Sequence, residues 1–204
     1  GIGQVGVHAA DAVGAAVAAI QEATGYWTVA QHTAAPGSVS LSDVIRTFER
    51  FLQPQDLLTL DAGSNRIWAT SQLKIRTPGQ LIVPGGIGGM GWGPPAAAAA
   101  KLVHPGKRVT CLVGDGGFMM TMPVLTTCVQ NDLPIVVVVA NNSGLGMVRD
   151  NLKASPIAVD YADIDFARIA EGLGCKGLRV DAPGQLDDAL AEAHRSGVPC
   201  VIDV

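Results

Sequence analysis

Asp115 lies between glycines in the stretch GDGG (Gly114–Gly117), and Asn141 and Asn142 follow Gly116 after an interval of 24 residues. Each group comes directly after a short apolar run, Val109–Val113 for the first and Ile135–Val139 for the second. A third run, Leu57–Leu60, is followed by DAGSN (Asp61–Asn65). If these runs are neighbouring strands, one sheet edge gathers small residues, acids and carboxamides. Such residues suit a phosphate–metal site: glycines let backbone N–H groups approach phosphate oxygens, an unshielded Asp projects a carboxylate, and Asn adds a neutral carbonyl oxygen. Hard oxygen ligands of this kind favour Mg2+ or Ca2+. Charge calls for the cation, because a diphosphate beside Asp115 is repelled and the nearest basic residue downstream is Arg149. A Walker A loop would need G-K-[ST], which the sequence lacks.

A second glycine pattern competes with this reading. In PGGIGGMGWGPP (Pro84–Pro95), Gly86, Gly88 and Gly91 satisfy G-x-G-x-x-G. Taken alone it admits an NAD or FAD site of the Rossmann type. It follows the run LIV from Leu81, precedes a helix-favouring stretch, and has Asp115 about two dozen residues on, near the spacing of a ribose-binding acid. A chain with 25 glycines also produces such matches by chance. Plainer readings stand beside the chemical ones. Asp115 can be a turn residue, and Asn141–Asn142 a strand-end turn. Met90, Met119, Met120 and Met147 can be core filler, the reading taken for Met119 and Met120. Asp61 is open between facing the site and capping structure. The joint occurrence of GDGG and NN behind two strand-like runs is what favours chemistry. Glu22, Glu49, Glu171 and Glu192 fall in helical surface patterns and are assigned none.

The elements that must position these residues alternate along the chain. Strands are predicted at Leu57, Leu81, Val109, Ile135 and Cys200, with a weaker one at Gly177. Val136–Val139 shows no polar alternation, as expected of a central parallel strand covered on both faces. Ser42 is predicted to cap a helix with Val44, Ile45, Phe48, Phe51 and Leu52 on one face. Pro94 and Pro95 suit the first turn of an alanine-rich helix. Thr121 is predicted to cap Met122–Gln130, Asp163 or Asp165 to open the helix closed by Gly174, and Gly197 to end Gln185–Ser196. The fold class is therefore α/β, a mostly parallel central sheet flanked by helices on both faces.

The chain has 204 residues, 48% apolar and 16% charged, with net charge −4. That bounds it to one substantial domain with a sizeable core and gives no electrostatic footprint for nucleic acid. No apolar run reaches the ~20 residues of a membrane span, and no signal peptide is visible. Cys111, Cys128, Cys175 and Cys200 form no C-x-x-C pair and read as reduced, buried thiols of a cytoplasmic protein. His8, His32, His104 and His194 lack metal-ligand spacing and read as surface or incidental residues. The first residues read as a strand and helix already under way. Residues 1–30 are expected to be the tail of a preceding domain, 31–40 a linker, and 41–204 the domain proper.

Gly114–Asn142, with LGMV (Leu145–Val148), DAGSNRIW and the glycine-rich stretch, resembles the cofactor-binding domain of thiamine diphosphate enzymes of the acetolactate synthase and pyruvate oxidase kind. The resemblance spans most of residues 36–204. It implies that Asp115, the Asn142 side chain and the Gly144 carbonyl ligate Mg2+. It implies backbone N–H groups of Gly116 and Gly117 on the diphosphate, Ser64 and Asn65 covering it, and Met147 nearby. Gly88 and Met90 would hold the aminopyrimidine, with the Met90 side chain keeping the cofactor bent. Under this resemblance PGGIGGMG is a thiamine-cofactor segment and not a Rossmann turn. The catalytic Glu of the family lies on a separate pyrimidine-binding domain, normally of a neighbouring subunit, so no catalytic residue is expected in this chain and a homo-oligomer is. A small 2-keto acid would be the substrate; acetolactate synthases usually carry Gln-Trp where this chain has Asp150–Asn151, which leaves other decarboxylases and carboligases, and the presence of FAD, open. A non-catalytic assembly domain is the remaining alternative, against which the intact metal motif speaks.

Overall fold

The computed structural model describes residues 2–23, 38–75, 77–152 and 157–204, with side chains from residue 11 onward. The chain divides into two compact units, Gly1–His32 and Thr33–Val204. In the first, a single helix α1 runs over Ile2–Ala23, so the strand expected at its start is not there. Most of the expected linker (31–37), the side chain of His8 and all of His32 lie outside the described residues.

The second unit runs α2 (Leu41–Phe51), β1 (Leu57–Leu60), α3 (Ser64–Gln72), β2 (Leu81–Ile82), α4 (Gly93–Val103), β3 (Val109–Gly114), α5 (Asp115–Thr121), α6 (Val124–Gln130), β4 (Val136–Ala140), α7 (Gly146–Asn151), α8 (Phe166–Gly172), β5 (Lys176–Arg179), α9 (Gln185–Ser196) and β6 (Cys200–Asp203). The strands form one sheet in the order β2-β1-β3-β4-β6-β5, and every pairing is parallel. Each strand expected in this unit is present, and the fold class is α/β as the alternation implied.

The pleat explains why the strands read as continuous apolar runs. Val109, Cys111 and Val113 of β3 face a core shared with α4, α5, α6 and α8. Leu112, between them, faces the opposite core with α2, α3 and α9. Both faces are buried, so no position in the central strands can be polar without a partner. β1 hands the chain to α3 on one face, and β3 hands it to α5 on the other. This divergence at neighbouring strands makes the crevice in which open α/β sheets bind ligands.

Two caps differ from expectation. The N-cap of α2 is Ser40, not Ser42: Ser40 Oγ accepts from the Asp43 N–H at 3.1 Å while Asp43 Oδ2 accepts from the Ser40 N–H at 3.0 Å. That reciprocal capping box needs Ser and an acid three apart, which only Ser40 offers. Thr121 ends α5 instead of opening α6, whose N-cap is Pro123. Asp165 caps α8, accepting from the Arg168 N–H at 2.9 Å. Gly174 and Gly197 follow their helices at φ +84° and +69°, where a Cβ would be strained. All four cysteines are free and buried, and burial pushes the Cys128, Cys175 and Cys200 thiols up to about 11, 11 and 12. Among the described residues no helix is long and apolar enough to cross a membrane.

Candidate functional site

β3 and β4 are neighbours in register, with Gly114 opposite Ala140. Asp115 and Asn142 therefore emerge side by side at the carboxyl ends of the sheet. Asp115 is 3% exposed, and its carboxylate is ringed by backbone donors: Oδ1 accepts from the Gly116 N–H at 2.7 Å, and Oδ2 from the N–H groups of Gly144 at 2.9 Å and Asn142 at 3.2 Å. The three expected metal ligands are thus one cluster. The Asn142 side chain lies against Gly146, where an added Cβ would stand 2.7 Å from its Nδ2. The Gly144 carbonyl accepts from the Gly146 N–H at 2.9 Å and keeps a second lone pair.

Among the described residues Asp115 enters no ion pair. Arg149, the nearest basic residue downstream in the sequence, is instead paired with Asp160. The Asp115 carboxylate is thus held by backbone N–H groups alone, with no ion-pair partner among the described residues. Among the described residues no three His, Cys, Asp or Glu side chains cluster as a metal site. The donor set is one carboxylate, one carboxamide and one backbone carbonyl. That set is too sparse for an all-protein cage but fits Mg2+, which is typically held by one or two carboxylates together with ligand phosphates.

Asp61, left open by the sequence, is a tether. It is fully buried, and its two oxygens accept from Gly91 N–H at 2.9 Å and Gly93 N–H at 3.0 Å. These bonds pull the glycine-rich segment onto the end of β1. Gly117 passes so close to the Asp61 carboxylate that any side chain there would collide with it. Gly91, at φ +80°, packs on Thr121 and Met120 of α5. The same tether removes the Rossmann alternative. The N–H groups that would receive a pyrophosphate at the start of α4 belong to Gly93, already given to Asp61, and to Pro94 and Pro95, which have none.

Asn65 is buried, and its Nδ2 reaches the carbonyls of Asp61 and Leu112 at 3.4 Å each, bracing the divergence of β1 and β3. Ser64 begins α3 beside it. Gly88 takes φ +69° next to the Arg66 guanidinium. The Met90 methyl lies 3.2 Å from where a Gly116 Cβ would stand, so the glycine-rich segment and the GDGG loop meet there. Met147 sits in α7, just beyond the Asn142–Gly144 loop.

One residue at the site escaped the sequence reading. Tyr161 donates its N–H to the Ser143 carbonyl at 3.0 Å, beside the antiparallel bridge of Gly144 with Asp160. Its hydroxyl stands 2.7 Å from the position of a Gly116 Cβ. Burial raises the phenol pKa, the Asp115 charge raises it further, and Arg149 opposes the rise. Within this unit the glutamates Glu49, Glu171 and Glu192 are on the helices α2, α8 and α9, Glu49 paired with Lys74 and Glu192 with Lys176. A separate cavity of about 190 Å3 opens beside Asn141, Asp163, Arg179 and Asp203. Its buried acid is already engaged, since Asp203 accepts from Asn141 Nδ2 and the Phe166 N–H at 3.0 Å each.

Comparison with known proteins agrees with this arrangement. Residues 61–204 match the profile of the thiamine pyrophosphate enzyme C-terminal TPP binding domain. A probable acetolactate synthase large subunit of Methanococcus aeolicus is 36% identical over 152 residues, 72% of this chain and 25% of that protein. An acetolactate synthase of Bacillus subtilis is 34% identical over 165 residues, 79% of this chain and 29% of that protein. In structure, a thiamine diphosphate-dependent 4-hydroxybenzoylformate decarboxylase of Rhodococcus jostii superposes with TM-score 0.77 at 25% identity, covering 85% of this chain and 34% of that one. The chain thus spans less than a third of the two synthases it matches. It belongs to the family of C-terminal thiamine pyrophosphate-binding domains of thiamine pyrophosphate enzymes.

Proposed function

We propose that this chain holds the diphosphate of thiamine diphosphate through Mg2+, as one domain of an enzyme that decarboxylates a 2-keto acid or joins it to an acceptor. The observation that carries the reading is Asp115, a buried carboxylate without a cationic partner, gathered with Asn142 and Gly144 at the carboxyl edge of the sheet. Asp115, the Asn142 amide oxygen and the Gly144 carbonyl would hold the metal. Gly116 and Gly117 would offer backbone N–H groups to the diphosphate, and Ser64 and Asn65, the first residues of α3 after the first strand, would cover it. The Gly116 N–H is committed to Asp115 Oδ1, so its use on a phosphate requires that carboxylate to turn toward the metal. Gly88 and Met90 would orient the pyrimidine ring, and Met147 would line the site from α7. When bound, the cofactor supplies a nucleophilic thiazolium carbon and an electron sink for decarboxylation.

None of Glu49, Glu171 and Glu192 in this unit bonds to a residue of this edge, and the acid that activates the cofactor would come from a pyrimidine-binding domain elsewhere in the protein or in a second subunit. Ile87 and Met90 on the glycine-rich segment and Ile157 ahead of Tyr161 expose apolar side chains that such a domain, or a second subunit of a homo-oligomer, would cover. The test is calorimetric titration of thiamine diphosphate into the full-length protein, with Mg2+ and with EDTA, for wild type and Asp115→Ala. Metal-dependent binding that the variant loses is expected. Binding indifferent to both metal and Asp115 would overturn the reading.

A further inference from the structure

The Tyr161 hydroxyl is sealed from solvent and has no hydrogen-bond partner in the protein. A buried hydroxyl without a partner is disfavoured, and where a native fold retains one, a ligand or ion is among the few explanations. No hydrogen bond joins it to the Asp115 carboxylate. Both Asp115 oxygens already take backbone N–H groups, Oδ1 from Gly116 and Oδ2 from Asn142 and Gly144. The ring is not adrift, because its own N–H is fixed to Ser143 and the adjoining Asp160 is bridged to Gly144 and paired with Arg149. That frame carries the phenol from beyond α7 back over the GDGG loop. There its oxygen shares the space above Gly116 with the side chains of Met90 and Leu145.

Building on the thiamine diphosphate reading above, we propose that Tyr161 is a further cofactor-binding residue, whose hydroxyl donates to the metal-bound diphosphate at the Asp115–Gly117 loop. It adds a neutral donor beside Arg149, whose guanidinium lies against Gly144 and is paired with Asp160. A phenol O–H is a donor of fixed reach on a rigid ring, so little side-chain freedom is lost when it engages.

The test compares wild type and Tyr161→Phe in the full-length protein. Affinity is measured by calorimetry for thiamine diphosphate with Mg2+, for inorganic pyrophosphate with Mg2+, and for thiamine, and the apo protein is melted in parallel. The variant is expected to bind both phosphorylated ligands about tenfold more weakly and thiamine unchanged, while the apo melting temperature stays level or rises because an unpaired hydroxyl has gone. A merely structural tyrosine would lower the apo melting temperature. Unchanged affinity for the two phosphorylated ligands, or an equal loss for thiamine, overturns the proposal. If wild type binds neither phosphorylated ligand, the site reading falls with it. If wild type binds, Asp115→Ala abolishes binding and Tyr161→Phe does not alter it, only the role of Tyr161 falls.

Discussion

At the amino end of the sheet Asp56 is 2% exposed, and its carboxylate is clasped by the Arg108 guanidinium and by the Gln53 N–H at 2.7 Å. At the carboxyl end Asp115 is as deeply buried, yet only backbone N–H groups meet it. The rest of each neighbourhood follows suit. Around Asp56, Arg108 lies over the Phe51 ring at 4.8 Å, His194 stacks on the same ring, and the buried Lys101 ammonium donates to the Lys107 carbonyl at 2.7 Å. Around Asp115 the chain supplies glycines, an orphan hydroxyl and exposed apolar side chains. One end closes its electrostatics within the chain and serves stability. The other leaves a buried carboxylate with no ion-pair partner at a crevice, an arrangement suited to binding a cation.

The contrast breaks most forcefully at Asp56. Asp56→Ala strands the Arg108 guanidinium and a buried N–H, a loss of about 3 kcal/mol, at the lower end for a broken buried pair because Arg108 is partly solvated. Urea unfolding measures it, and cofactor affinity of the folded variant should not change. An equal loss of affinity would mean that the two ends are energetically one site.

Asp115→Ala should invert that pattern. Cofactor affinity is expected to fall at least 100-fold, about 2.7 kcal/mol, while unfolding free energy falls by only about 1–2 kcal/mol for the N–H groups left bare. Should stability fall further than binding, Asp115 would be a structural cap and the comparison would lose its meaning.

A pH titration sharpens the amino end. Burial foremost, then the Arg108 charge, depresses the His194 pKa from 6.5 to about 4, and its Nε2 lies 3.0 Å from Thr110 Oγ1. This corrects its reading as a surface or incidental residue. In the unfolded chain His194 protonates near pH 6.5, whereas in the fold it stays neutral until about pH 4. Stability is therefore undiminished above pH 6.5 and is lost as pH falls through that window, by about 2 kcal/mol between pH 8 and pH 5. Urea midpoints across this range in wild type and His194→Gln check it, and the variant should lack the slope.

What the sequence disclosed of these two ends was uneven for physical reasons. The strands were legible because each must be apolar on both faces, and GDGG and NN because both lie at strand ends set by those runs. α3 and α7 were not, since α3 buries only Asn65 and Ala69 and α7 buries nothing, so neither carries an apolar period. α5 opens on two glycines, against helix propensity, because the loop serves the site. Tyr161 had no motif at all. Its place depends on the Gly144–Asp160 bridge, a contact no local pattern encodes. Asp56 was invisible for the same reason, its partner lying a strand away at Arg108.

The smallest effect is the most discriminating. Ser42, in α2, also buries a hydroxyl without a partner, but on the helix that packs beside Ala69 and Leu58 and not over the GDGG loop. If an orphan hydroxyl were simply a packing imperfection, Ser42 and Tyr161 would behave alike. Ser42→Ala removes the unpaired oxygen and gains helix propensity, so stability should stay within about 0.5 kcal/mol or rise slightly. Its affinity for thiamine diphosphate with Mg2+ should equal that of wild type. Measured beside Tyr161→Phe in the same titration, the pair separates a hydroxyl the fold merely tolerates from one that awaits a ligand; a loss of affinity in Ser42→Ala would show that binding responds to any loosening of the domain and that position at the carboxyl edge is not what matters.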